Sequence, residues 1–165
     1  MPNTHDMFKD FHCPRWEELP AIPLYMDQVL LVLNETLQPL SCTKEALVTS
    51  AMINNYVKQK LIAPPIKKKY GREQLSRLIM ICLLKRVLSI SEIVCFFTDT
   101  DDSALHERYA LFCNLLEAAL RDGLNGGISS MTQFCKGEDH SALCAALLAL
   151  AGRIYVEFSL KADPE

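Results

Sequence analysis

Apolar residues recur at helical intervals over most of this chain, and the interruptions divide it into six helical stretches. Leu24, Tyr25, Val29, Leu30, Val32, Leu33 and Leu37 share a face over residues 24–37, with Asp27 in the first turn, where the helix dipole favours an anion. Pro39 stops that helix. Residues 41–47 form a connection with room for one turn begun by Thr43. The next helix starts at Thr49, whose hydroxyl is placed to accept from an exposed backbone N–H. Met52, Ile53, Tyr56, Val57 and Leu61 gather on one half of this helix, and Ala51, Asn54, Asn55, Lys58 and Gln59 on the other. Pro64-Pro65 forbids further helix, and residues 66–70 read as a short extended segment. A long helix follows over residues 71–87, with Leu75, Leu78, Ile79, Cys82, Leu83 and Val87 inward and Arg72, Arg77, Lys85 and Arg86 outward. Ser89 or Ser91 caps a short fourth helix, with Glu92 in its first turn. The last two helices are expected over residues 104–121 and 139–160, separated by Gly123, Gly126-Gly127 and an ambiguous stretch over 128–137.

Charge changes this picture. Residues 58–86 carry nine bases against one acid, a net +8, while residues 1–57 carry −4 and 87–165 carry −7. A chain with an overall charge of −3 has therefore gathered its cations in one segment, which self-repulsion disfavours unless an anionic partner is present. The polar face of the Thr49 helix has no acid and offers two amides, side chains able to read an adenine edge in the major groove. Ser50, Asn54 and Asn55 are the candidate base contacts. Lys58, Lys67, Lys68, Lys69 and Arg72 are candidate phosphate contacts, with Arg77 as a further one. An ordinary solvated helix face and a solvated lysine run are the alternatives.

These residues resemble known proteins. The order Ile53-Asn54-Asn55-Tyr56, Leu61-Ile62, a proline, a basic run ending in Tyr70, and then Leu88-Ser89-Ile90-Ser91-Glu92-Ile93 looks like the helix, wing and helices of MerR-type winged-helix regulators. The connection over residues 37–49 is longer, and the segment over 61–70 shorter, than in that pattern. A closer resemblance is to an uncharacterised family of Gram-positive bacteria, domain of unknown function eighteen-thirty-six. It rests on Thr49, Met52 to Tyr56, Pro64-Pro65, Lys68 to Tyr70 and Leu88 to Ile90, with Leu24 to Val29 upstream. The resemblance implies a mainly α fold: a MerR-like winged helix-turn-helix with a short extended wing over residues 24–97, followed by a helical dimerisation or effector unit over 98–165. Residues 1–23 are an arm. Met7, Phe8, Phe11 and Trp16 anchor it, and Trp16, Leu19 and Ile22 are expected to cover the core or a dimer partner.

The remaining chemistry is sparse. Seven scattered cysteines without a Cys-x-x-Cys pair read as reduced thiols of a cytoplasmic protein. No secretory leader is expected, because charges interrupt the first twenty residues. Metal sets built from Cys135, His140 and Cys144, or from His5, His12 and Cys13, lack the paired close spacings of structural zinc. The acidic stretch over 98–103 lacks the Gly and the distal Glu of a calcium loop and reads as a linker. No phosphate loop, nucleophile elbow or His-Glu-x-x-His is present, so neither an enzyme nor a cofactor is expected. Eleven apolar or small residues run from Ala142 to Gly152, but Arg153 and Glu157 follow too soon for a membrane span of about 20 uncharged residues. A helix apolar all round needs cover on every side, and a second copy of the chain would supply it. The expectation is a homodimeric regulator of double-stranded DNA, and no motif in the sequence supports a small-molecule effector on its C-terminal helices. A protein-interaction module that binds no DNA is the alternative.

Overall fold

A computed structural model describes residue 6 and residues 8–97, 102–135 and 139–161. His5, Met7 and most of the acidic linker read above lie outside the described residues. The fold is mainly helical. Strand β1 (Leu24–Tyr25) leads into helix α1 (Met26–Leu37), followed by α2 (Ser50–Lys58), strand β2 (Lys69–Tyr70), α3 (Arg72–Leu84), α4 (Ile90–Phe97), α5 (Leu105–Gly126) and α6 (Ser141–Lys161). The strands pair antiparallel, Leu24 opposite Tyr70 and Tyr25 opposite Lys69.

Local chemistry sets several helix starts. Thr49 Oγ1 accepts from the Met52 N–H at 3.4 Å, which begins α2 where its cap predicts. Ser89 and Glu92 exchange bonds across the first turn of α4, the Ser89 N–H donating to Glu92 Oε2 at 2.7 Å and the Glu92 N–H to Ser89 Oγ at 3.3 Å. Asp139 Oδ1 accepts from the Ser141 N–H at 3.0 Å at the head of α6. Between α1 and α2 the anticipated turn at Thr43 does not form. A short 3-10 turn at Gln38–Leu40 continues α1 instead, and Pro39 is tolerated there because the first turn needs no N–H from it.

Helix α3 is the centre of the molecule. Leu75, Ser76, Leu78, Ile79, Met80, Ile81, Cys82, Leu83 and Leu84 are all buried, so the amphipathic helix expected from the sequence is covered on nearly every side. Helices α1, α5 and α6 provide that cover. The buried Ser76 hydroxyl donates to the Glu73 carbonyl at 2.8 Å, which meets its need in an apolar site.

Helix α5 runs five residues past the expected end at Arg121, through Gly123 to Gly126, and 3-10 turns at Gly127–Ser130 and Thr132–Phe134 fill the ambiguous stretch. The N-terminal arm lies on α5. Arg15 Nη1 and Nη2 each donate to a Glu117 oxygen at 2.8 Å, Arg15 Nη2 also reaches Asn114 Oδ1 at 3.0 Å, and the Cys13 N–H donates to Glu117 at 2.8 Å. The Tyr109 hydroxyl donates to the Pro14 carbonyl at 2.7 Å. Burial alone would push the Glu117 carboxyl up, yet the Arg15 guanidinium and the Cys13 N–H hold it below its ordinary range. Trp16 packs edge-on against His106 and Tyr109 and Leu19 is buried, as core covers should be, whereas Ile22 is 71% exposed in the single chain.

Candidate nucleic-acid interface

The outer face of α2 is polar, as its periodicity predicts. Ile53 and Tyr56 are buried beneath it and Met52 and Val57 are half-buried, while Ser50, Ala51, Asn54, Asn55, Lys58, Gln59 and Lys60 are exposed. The three candidate base contacts therefore stand together on one short helix. Asn55 Oδ1 accepts from Gln59 Nε2 at 3.4 Å, a weak bond that leaves the amide N–H₂ for other partners. One residue outside α2 fixes how this helix is presented. Asn34, near the end of α1, accepts the Leu47 and Val48 N–H groups at 2.6 and 3.1 Å and donates to the Leu30 and Val48 carbonyls at 2.8 and 3.1 Å. That side chain meets its full hydrogen-bonding capacity and pins the long connection directly before α2. Nothing in the sequence pattern singled it out, although an asparagine on an otherwise apolar face was the visible signal.

Helix α2 ends in a Schellman motif. The Leu61 N–H donates to the Tyr56 carbonyl and the Lys60 N–H to the Val57 carbonyl, both at 3.0 Å, and Lys60 takes a left-handed φ of 59° at the position that glycine usually fills. The chain then passes Pro64-Pro65 and forms the extended segment expected at 66–70, with a turn the sequence concealed. Ile66 and Lys69 exchange two backbone bonds at 3.0 Å, closing a two-residue hairpin whose central residues are Lys67 at φ 50° and Lys68 at φ 64°. Positive φ at both positions is the mark of a type I′ turn, for which Asn-Gly is the usual choice. Lysine there costs about 1–2 kcal/mol per residue from the clash of Cβ with the backbone. Among the described residues, the non-glycine positions with positive φ are Lys60, Lys67 and Lys68, all exposed and all in the basic segment.

Gln74 secures the base of this hairpin. Its Oε1 accepts from the Gly71 N–H at 2.6 Å, capping α3, while its Nε2 donates to the Ala63 and Pro64 carbonyls at 2.9 and 3.0 Å. β2 is held in turn by β1, and Lys69 is half-buried with its ammonium 4.8 Å from the Tyr25 ring centroid.

The other candidate cations have internal partners. Arg72 Nη2 donates to the Leu19 carbonyl at 2.9 Å and its Nε is buried, so its guanidinium ties the arm to the head of α3. The Arg77 guanidinium lies 5.5 Å from the Phe97 ring centroid. Arg86, read from the sequence as an outward residue, is half-buried and bonds the Leu40 carbonyl at 2.8 Å and Glu157 at 2.6 Å. The nine bases of this segment thus separate into exposed Lys58, Lys60, Lys67, Lys68 and Lys85, half-buried Lys69, and three arginines drawn into the structure, with Lys85 after α3 and apart from α2 and the hairpin in sequence. Lys60 was not among the candidates read from the sequence and belongs with the exposed group.

Of the residues considered for metal binding, His12, Cys135 and Cys144 have partners within the fold. His12 faces Glu18 at 2.7 Å and Glu117 at 3.4 Å. Cys135 and Cys144 place their sulfurs 3.9 Å apart in a buried setting, and among the described residues no group of three or more His, Cys, Asp or Glu is placed to hold a metal ion.

No curated protein and no solved structure matches the chain. One family model does, over residues 14–112, from the arm's Arg15 anchor through α2, the hairpin and α3 into the middle of α5. As that span is more than half of the sequence, the chain belongs to the family described as a domain of unknown function, DUF1836.

Proposed function

We propose that this protein is a DNA-binding transcriptional regulator with a MerR-like winged-helix head, in which α2 is the recognition helix and the Lys67-Lys68 hairpin is a short wing. The observation that carries this reading is the backbone of the three exposed lysines. Each occupies a left-handed position where glycine or asparagine would relieve strain, and none has an ion pair among the described residues in return. Strain retained at exposed cations favours a role outside the fold, and phosphate is the anion such clusters most often meet. Ser50, Asn54 and Asn55 then approach base edges, and Lys58, Lys60, Lys67 and Lys68 hold phosphates. Lys69, Arg72 and Arg77 position the wing and α3.

The protein acts in the cytoplasm as a homodimer formed through α6. That helix is long and apolar enough to cross a membrane by length and composition, but one side of it, including Cys144, Leu147, Leu150 and Ile154, packs into the core. Its other side exposes Ala142, Ala145, Ala149, Val156 and Leu160, and a Cβ added at Gly152 would meet nothing within 4 Å. Small residues along an open face suit a second helix packed closely against it. Two copies would supply the paired heads that DNA half-sites require.

Selection of bound fragments from random duplex DNA tests the assignment of α2. The wild-type chain should enrich a motif, Asn54→Ala should flatten that motif, and Lys68→Ala should weaken all sequences alike. Retention of an acidic protein surface but of no duplex would favour a protein-interaction module instead.

A further inference from the structure

Behind α2 lies a cavity of about 520 Å³, within the size range of small-molecule sites. Leu37, Leu47, Met52, Tyr56 and Leu83 give it an apolar wall drawn from α1, the Asn34-pinned connection, α2 and α3. Part of its remaining border is charged, beside Ser41, Cys42 and Thr43: Lys85 and Arg86, directly after α3, and Arg153, Glu157 and Lys161 at the end of α6. Glu157 accepts from Arg86 at 2.6 Å and from Arg153 at 2.8 Å, so the border holds four cations against one carboxylate. A confined positive field beside apolar walls selects for an anion with an apolar body.

Tyr56 adds a second observation. The side chain is 1% exposed, and its hydroxyl has no hydrogen-bond partner among the described residues, an unusual state for a buried donor. Lys85 holds its ammonium 5.9 Å from the Tyr56 ring centroid. An ammonium poised over an aromatic ring at the border of an apolar wall is what a carboxylate or sulfonate with an apolar body would meet.

We propose that this cavity binds a small amphipathic anion, a carboxylate or sulfonate with an apolar body, and that its occupancy shifts the seating of α2. The second part rests on the DNA-binding reading above. It follows from the placement of Met52 and Tyr56, which touch the cavity from the inner side of the helix whose outer side carries Asn54 and Asn55. A ligand that contacts one packing of α2 better than another must change the population of the two, and DNA that prefers one packing must change ligand affinity by the same factor.

Isothermal titration of the full chain with octanoate, and with octanol as the uncharged control, tests the site without DNA. Octanoate should bind at one site per chain about tenfold tighter than octanol, the worth of one well-placed charge contact. Lys85→Gln, at an exposed position, should weaken octanoate about fivefold with little effect on octanol. Met52→Trp should block both, with far-UV circular dichroism and thermal melting verifying that the variant folds. No heat with octanoate, equal binding of octanol, or an unchanged Lys85→Gln variant overturns the site. Duplex binding with and without octanoate then tests the coupling: a change in wild type that is lost in Lys85→Gln supports it, and equal retention in both conditions overturns it. A chain that binds octanoate but no duplex overturns the DNA-binding reading and the coupling while the anion site stands.

Discussion

The exposed lysines and the internal arginines of this molecule are two populations of the same charge with opposite uses. Arg15, Arg72 and Arg86 turn inward, where a planar guanidinium with several donors satisfies carbonyls and carboxylates at once, as Arg15 does on Glu117, Asn114 and Cys13. Arg15 joins the arm to α5, Arg72 joins the arm to α3, and Arg86 joins the end of α3 to Leu40 and to α6. Lys60, Lys67 and Lys68 make no such joins and sit at strained backbone positions on the surface. Removing an arginine should therefore break the fold, and removing a lysine should relax it. A charge count along the sequence treats the two as equal.

The largest separation is expected at Arg15. Arg15→Ala leaves a half-buried Glu117 facing a helix surface without its cation, and should lower the free energy of unfolding in urea by about 3 kcal/mol. A loss under about 1 kcal/mol would place this pair with ordinary surface ion pairs. The same contact gives a pH dependence. Because Glu117 has a folded-state pKa depressed below its ordinary 4.5, its contribution is present above that value and is lost as pH falls through the folded pKa. Acid titration of stability should accordingly be steeper in the wild type than in Glu117→Gln.

Next comes Asn34. Asn34→Ala removes the acceptor of two backbone N–H groups in the loop before α2 and should cost about 2 kcal/mol, with faster amide exchange at Leu47 and Val48. Exchange unchanged at those two amides would show that the loop is held by other contacts. The smallest effect has the opposite sign. Lys60→Gly should raise stability by about 0.5–1 kcal/mol, because the Schellman position then carries no Cβ, while weakening duplex binding; a destabilised variant would show that φ 59° holds no strain there.

The helices were legible because their apolar spacing and caps agree, as at Thr49 and Ser89. The hairpin was not, since a Lys-Lys turn lacks the Asn-Gly pair by which such turns are known, and the pairing of Tyr70 with Leu24 spans most of the arm-to-α3 sequence. The outer face of α2 follows the periodicity, with Ala51, Asn54, Asn55, Lys58 and Gln59 all exposed. The fate of Arg72, Arg77 and Arg86 was hidden for a different reason. α3 looks amphipathic in isolation, and only the approach of the arm, α4 and α6 brings in the carbonyls, ring and carboxylate that engage them. Helix α5 outran its expected end because a glycine inside a helix costs only about 1 kcal/mol, which the packing of α5 against α6 and the following 3-10 turn offsets.

The central claim is that the hairpin lysines are held in strain for an external anion, and one paired measurement addresses it. In the double variant Lys67→Asn, Lys68→Gly, thermal stability and the salt dependence of binding to mixed-sequence duplex DNA are followed together. The wild type, with Lys58, Lys60, Lys67 and Lys68 as its four proposed phosphate contacts, should show log K falling against log salt with a slope of about −3.6 per chain. The variant should melt at a higher temperature and show a slope of about −1.8. A wild-type chain that retains no duplex at low salt, or a variant with an unchanged slope, would contradict the account.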